Sequence, residues 1–184
     1  AVLVGGASRR FGRDKLREPW AGSEGGEWIV DQPFRALRRA FGPRVWAVGD
    51  GDASVVRRAD RHLLDAYPGA GPMGGVITAL RAARTDIIVR SGDLPWITAA
   101  EVALLTAAAA DHRHGPVLGA TPVPQPCIAV YRFLDLARLV RLMAEGRTSL
   151  REAAGALSTR YVPLPEEAAR SANRPEDLAG GAGA

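Results

Sequence analysis

The sequence predicts an α/β fold built on a largely parallel sheet. Two observations predict it. Short apolar runs alternate with segments of helical length along the whole chain, an order that calls for right-handed crossovers and parallel pairing. Two of the runs break directly into turns rich in chemistry, Gly5-Gly6 after residues 1–4 and Gly92-Asp93 after residues 86–90. Both turns then fall at carboxyl ends of strands, on the crevice where open α/β sheets bind ligands.

The first run, AVLV, suits a strand buried on both faces. Gly5 and Gly6 let the backbone turn sharply and come close to a ligand. Ser8 adds a hydroxyl, while Arg9, Arg10, Arg13 and Lys15 add four cations and Gly12 a second flexible point. Free N–H groups ringed by cations suit a polyphosphate. No Gly-Lys-Ser/Thr closes the loop, and the spacing of Gly5, Gly6 and Gly12 does not fit the dinucleotide fingerprint. Lys15 is the one lysine among 24 Lys and Arg residues. A compact ammonium meets a need there that a planar guanidinium does not. The plainer reading is a strand-to-helix turn carrying surface arginines.

Gly22, Gly25 and Gly26 mark residues 16–27 as a loop, with Trp20 and Trp28 read as packing residues. A helix follows from Asp31, with Pro33 in its first turn. Phe34, Leu37 and Phe41 share one face, Arg35, Arg38 and Arg39 turn outward, and Gly42-Pro43 ends it. Residues 45–48 form the second strand, with Gly49-Asp50-Gly51 as its turn. Residues 62–64 form the third, ending at Asp65. The stretch AYPGAGPMGG, residues 66–75, forbids regular structure until Met73. The helix over 73–84 then offers its N-terminal N–H groups to an anion.

Residues 86–90 form the fourth strand, and Asp93 follows it in Ser91-Gly92-Asp93-Leu94-Pro95. A carboxylate there holds a metal or caps the helix over 99–111; Thr98 can do the capping itself. His112 and His114 read as solvated. Strands over 116–120 and 127–131 flank a loop at 121–126, and Cys127 reads as an apolar core residue. Helices over 134–143 and 149–156, the latter capped by Thr148, precede a last strand over 161–164.

One domain over 1–184 is expected, with residues 179–184 a frayed Gly/Ala-rich end. A lone cysteine fits a cytoplasmic protein, and no apolar run reaches the ~18 residues that a membrane span needs. Strand character from residue 1 leaves no signal peptide in the reading, with an initiator Met removed. The formal net charge is +4 and the pI about 10.0. The arginines are dispersed, so a small anionic substrate is expected rather than nucleic acid.

The opening loop resembles L-x-G-G-x-S-x-R-M-G-x-D-K, the signature of the molybdenum cofactor guanylyltransferases. These belong to a wider nucleotidyltransferase family with a Rossmann-like, three-layer α/β/α fold. Leu3, Gly5, Gly6, Ser8, Arg10, Gly12, Asp14 and Lys15 fall in register; Phe11 and Val4 replace Met and Ala. Asp65 to Gly75 resembles the family's D-x-x-P-G-x-G-P-L-x-G loop beside the base and ribose. Gly92-Asp93-Leu94-Pro95-Trp96-Ile97 resembles C/G-D-x-P-x-I, whose Asp holds Mg²⁺. The segment PQPCIAVYR resembles one bordering the second substrate, with Gln125 where His is common. Residues 171–178 resemble N-x-N-T-P-E-D-L, with Ser171 and Arg174 departing. Residues 16–27 and Gly49, where relatives carry an Asn that contacts the nucleotide, also depart.

The resemblance implies transfer of GMP from GTP to Mo-molybdopterin with release of pyrophosphate. It implies Arg10, Lys15 and Asp93 as catalytic residues and Asp93 as the Mg²⁺ ligand. Leu3, Val4, Gly5, Gly6, Ser8, Gly12, Lys15, Asp65, Gly71, Gly74 and Asp93 would hold the nucleotide, with Asn173 and Arg9 near metal or substrate. It implies a monomer that transiently meets a molybdenum insertion protein or an apo-molybdoenzyme, with no nucleic-acid or membrane partner. Three alternatives stay open: a cytidylyltransferase for the same cofactor, a transferase acting on a phospho-sugar or phospholactate, and a non-enzymatic basic module that binds nucleic acid or regulates. The cytidylyltransferases read A-A-G where this chain has Val4-Gly5-Gly6.

Overall fold

The computed structural model describes residues 1–5, 14–20 and 26–172. Seven strands form one sheet: β1 (Val2–Leu3), β2 (Trp46–Val48), β3 (Arg61–Leu63), β4 (Ile87–Ser91), β5 (Val117–Thr121), β6 (Val123–Tyr131) and β7 (Arg160–Pro163). Their order is β3-β2-β1-β4-β6-β5-β7. β1 to β4 run parallel, β6 is antiparallel to β4 and β5, and β7 is parallel to β5. The chain moves outward from β1 to β3, then returns to place β4 on the other flank of β1. That reversal is a topological switch point, and it opens a crevice at the carboxyl ends of the strands.

Among the described residues six α-helices cover the sheet: α1 (Asp31–Phe41), α2 (Ala53–Val56), α3 (Pro72–Ala83), α4 (Ala99–Asp111), α5 (Leu136–Ala144) and α6 (Leu150–Ala156). Alternation along the strands divides the core into two layers. Leu3, Val48 and Val89 pack with Met73, Val76, Ile77 and Leu80 of α3 and with Leu139 and Leu150 of α5 and α6. Val2, Val4 and Ala47 pack on the opposite face with Phe34 and Leu37 of α1 and Val102 of α4. The result is a three-layer α/β/α sandwich, as the resemblance implies.

Two local expectations are corrected, and one element was not foreseen. The 121–126 stretch is not a loop: β6 begins at Val123 and pairs with β5 through Pro124 and Gln125. Of β6, only Ile128–Tyr131 pairs with β4. The proline-bearing half of β6 therefore has a strand on one side alone, where a missing N–H is tolerated. Ser149, not Thr148, caps α6, its Oγ accepting from Glu152 N at 3.3 Å. α2 carries no periodic signal because it is a single turn, set by Asp52 accepting from Ser54 N at 2.7 Å.

Candidate active site

A cleft of about 670 Å³ lies across the carboxyl ends of β1 to β4, within the size range of small-molecule sites. Leu3 and Gly5 line it from β1, Val48, Gly49 and Asp50 from β2, Leu64 and Asp65 from β3, and Ser91 from β4. Pro68, Gly69, Gly71 and Pro72 close one side and Cys127 another. Gly49 has φ 123°, and a Cβ there would lie 2.5 Å from the Gly5 backbone N. No asparagine fits at that position. Its neighbour Asp50 presents a carboxylate instead, 3.0 Å from where a Gly5 Cβ would stand.

Asp65 organises the Pro/Gly loop. Its Oδ1 accepts from Tyr67 N at 2.9 Å and from Thr78 Oγ1 at 3.2 Å, while Ala66 N donates to Thr78 at 3.0 Å. Gly74 is tight against this knot: a Cβ would meet Tyr67 O at 2.8 Å and both Asp65 carboxylate oxygens at 3.0 Å. Gly71 takes φ 63° as the N-cap of α3, a conformation suited to glycine. Val4 does not face the cleft. Its side chain is buried in the α1-side core and its N–H donates to Val48 O at 2.9 Å.

The structure brings together two residues 78 positions apart in the chain: Lys15 Nζ donates to Asp93 Oδ2 at 2.5 Å. Lys15 opens a 3₁₀ turn, Lys15–Arg17, capped by Asp14 Oδ1 accepting from Leu16 N at 3.0 Å. Leu16 anchors that turn in the core. Asp93 also accepts from Ser91 Oγ at 2.5 Å and from Ser171 Oγ at 3.1 Å. Burial raises the Asp93 carboxyl, but the Lys15 ammonium and the two hydroxyls outweigh it and hold the group below its ordinary value. An ionised carboxylate flanked by hydroxyls is a hard oxygen donor set. It fits Mg²⁺, which takes one or two carboxylates and draws its other ligands from waters and substrate phosphates. The capping reading of Asp93 falls away, because Thr98 and Glu101 form a reciprocal capping box on α4.

Ser91, Ser171, Asp50, Leu64 and Cys127 are the residues that sequence reasoning missed. Ser171 departs from the resemblance, yet it reaches Asp93 because Ala172 N donates to Asp93 O at 3.0 Å. Ala172 and Ile29 are fully buried against Trp20 and Trp96. The two indoles meet edge to face at 5.3 Å, and Arg170 stacks over Trp96 at 4.2 Å. Cys127 is half-buried on the cleft wall rather than deep in the core. Burial and the Asp93 charge push its thiol up to about 11, so it stays neutral. Gly6, Ser8, Arg9, Arg10 and Gly12, together with Asn173 and the 179–184 tail, lie outside the described residues.

A family profile described as a MobA-like NTP transferase domain matches residues 1–159. The chain belongs to that family. It is a nucleotidyltransferase. A protein of Opitutus terrae named "Probable molybdenum cofactor guanylyltransferase" is 35% identical over 96% of this chain and 91% of its own. A protein of the same name from Chloroflexus aggregans is 33% identical over 85% of this chain and 76% of its own. Among solved structures, molybdopterin-guanine dinucleotide biosynthesis protein A from Archaeoglobus fulgidus superposes with a TM-score of 0.77 at 20% identity, covering 97% of this chain and 93% of its own. That likeness carries the fold. No helix of the described residues is long and apolar enough to cross a membrane.

Proposed function

We propose that the enzyme transfers GMP from GTP to the terminal phosphate of Mo-molybdopterin and releases pyrophosphate. The observation that carries this reading is the Lys15–Asp93 pair at 2.5 Å beside a cleft at the sheet's switch point. A cofactor phosphate oxygen bonds to the α-phosphorus of GTP while the bond to the β-phosphate oxygen breaks. Such in-line transfer asks for positioning and for neutralisation of charge more than for covalent help.

Asp50 and Asp65 accept hydrogen bonds and repel phosphate, so the cleft around them is assigned to base and ribose. The polyphosphate is assigned to the side of Lys15, beside Asp93; Lys15, and Arg10 by the resemblance, would take up the charge of the leaving pyrophosphate. Mg²⁺ held by Asp93 would supply further neutralisation on the reacting phosphates. Lys15 and the hydroxyls of Ser91 and Ser171 keep Asp93 ionised and aimed.

A binding panel of GTP, CTP, ATP and UTP tests the base assignment by calorimetry. GTP is expected to bind tightest, because Gly5 leaves the cleft floor clear for a purine. Tighter binding of CTP would move the chain to the cytidylyltransferase branch; no binding of GTP would overturn the proposed reaction.

A further inference from the structure

Arg90 is the odd residue of β4. It stands in an otherwise apolar run, Ile87-Ile88-Val89, and it is wholly excluded from solvent. A buried cation is costly unless paired, and Arg90 forms no ion pair with a carboxylate among the described residues. Glu101 is the acid whose field it feels, and that carboxylate is committed to the Thr98 capping box. Leu or Ile there would fill the same core more cheaply.

The guanidinium spends itself on one loop. Nη2 donates to Leu94 O at 2.8 Å and Nη1 reaches Ile97 O at 3.4 Å, while Nε has no hydrogen-bond partner among the described residues. Those carbonyls bracket Pro95, which has no N–H, and Trp96. The loop they belong to begins with Asp93 and lies outside any regular ladder. Its top surface, Trp96, is the ring on which Trp20 and Arg170 pack, and the segment after Arg170 delivers Ser171 to the Asp93 carboxylate. Anchoring Leu94 and Ile97 from beneath therefore fixes Asp93 twice, through its own loop and through the tail that docks on it.

We propose that Arg90 is a positioning residue for nucleotidyl transfer: by tethering the Leu94 and Ile97 carbonyls it sets the aim of Asp93. The inference rests on the reading of Asp93 given above. It acts through backbone carbonyls, so it concerns catalytic geometry and not nucleotide affinity.

Two variants of the full chain test it. Arg90→Met removes both tethers and the buried charge; Arg90→Lys keeps the charge but cannot span both carbonyls. In each, kcat for guanylyl transfer should fall roughly tenfold to a hundredfold, as small misplacements do, while KM for GTP stays within about twofold. Amide hydrogen exchange should quicken at residues 92–97 and 171–172 and hold steady in β1 and α3. Should Arg90→Met not fold, Arg90→Lys carries the test. Unchanged kcat with unchanged loop exchange overturns the proposal. So does a loss of kcat, KM and exchange protection together across the molecule, which marks a purely structural arginine. Asp93→Asn assayed alongside separates the two readings. If it retains turnover, the role of Asp93 is wrong, while loop exchange in the Arg90 variants still decides what Arg90 holds.

Discussion

Lys15 is the residue at which composition and geometry meet. The chain uses arginine at every other basic position, yet the cation facing Asp93 at 2.5 Å is an ammonium. A guanidinium is wider and planar and needs two aligned acceptors to use its fork. Asp93 Oδ1 is already taken by Ser91, so Lys15→Arg has no bidentate partner and pushes the 3₁₀ turn outward. Turnover of this variant should drop at least about tenfold, with a melting temperature close to wild type. A kcat/KM assay beside a thermal melt checks both; wild-type turnover would show the lysine to be incidental.

At the scale of elements, Asp60 links α1 to β2. It accepts from Arg38 Nη2 at 2.9 Å and from Val45 N at 2.8 Å. Burial raises this carboxyl, but the bonds from Val45 and Arg38 prevail and leave it below its ordinary value. A depressed folded pKa contributes stability above the unfolded value of about 3.9, and that contribution is lost as pH falls through the folded pKa. Asp60→Asn should therefore flatten the acid limb below about pH 4 in urea midpoints measured against pH. Parallel limbs in the two proteins would contradict the assignment.

The β2 turn makes a second demand at this scale. Ala at position 49 would put its Cβ 2.5 Å from Gly5 N in a left-handed backbone. Gly49→Ala should cost about 1–3 kcal/mol in urea unfolding and weaken nucleotide binding, since it displaces Gly5. Wild-type stability in this variant would mean that the turn relaxes freely.

Much of this was legible in the sequence, and the exceptions have physical reasons. Apart from β6, which begins four residues early at Val123, the predicted strands and longer helices form close to their expected bounds, because apolar runs and caps are local signals. Asp93 and Lys15 stood out as members of dense motifs. Ser171 did not, because its contact spans 78 positions and depends on how Ala172 docks under Trp96. Arg90 read as the last residue of a strand, since periodicity says nothing of where a guanidinium ends. The 121–126 hairpin was hidden by its prolines, which only a half-covered strand accepts. Asp50 was overshadowed by Gly49, whose closeness to Gly5 no pattern reveals.

At the scale of the molecule, the reversal of strand order beside β1 gathers Gly5, the β2 and β3 turns, the Pro/Gly loop and Ser91 onto one edge of the sheet. Two α-helical layers bury the rest of the sheet, leaving chemistry at the carboxyl ends. The proposed reaction makes Asp93, aimed from there, the acid on which guanylyl transfer turns. It is tested most directly by incubating wild type and Asp93→Asn with GTP, Mg²⁺ and Mo-molybdopterin and quantifying molybdopterin guanine dinucleotide and pyrophosphate. Wild type should form the two products in equal amounts. Asp93→Asn should form neither at a measurable rate while melting near the wild-type temperature without ligand. Mg²⁺-dependent product formation by Asp93→Asn at near the wild-type rate would contradict the account and turn attention to Asp65.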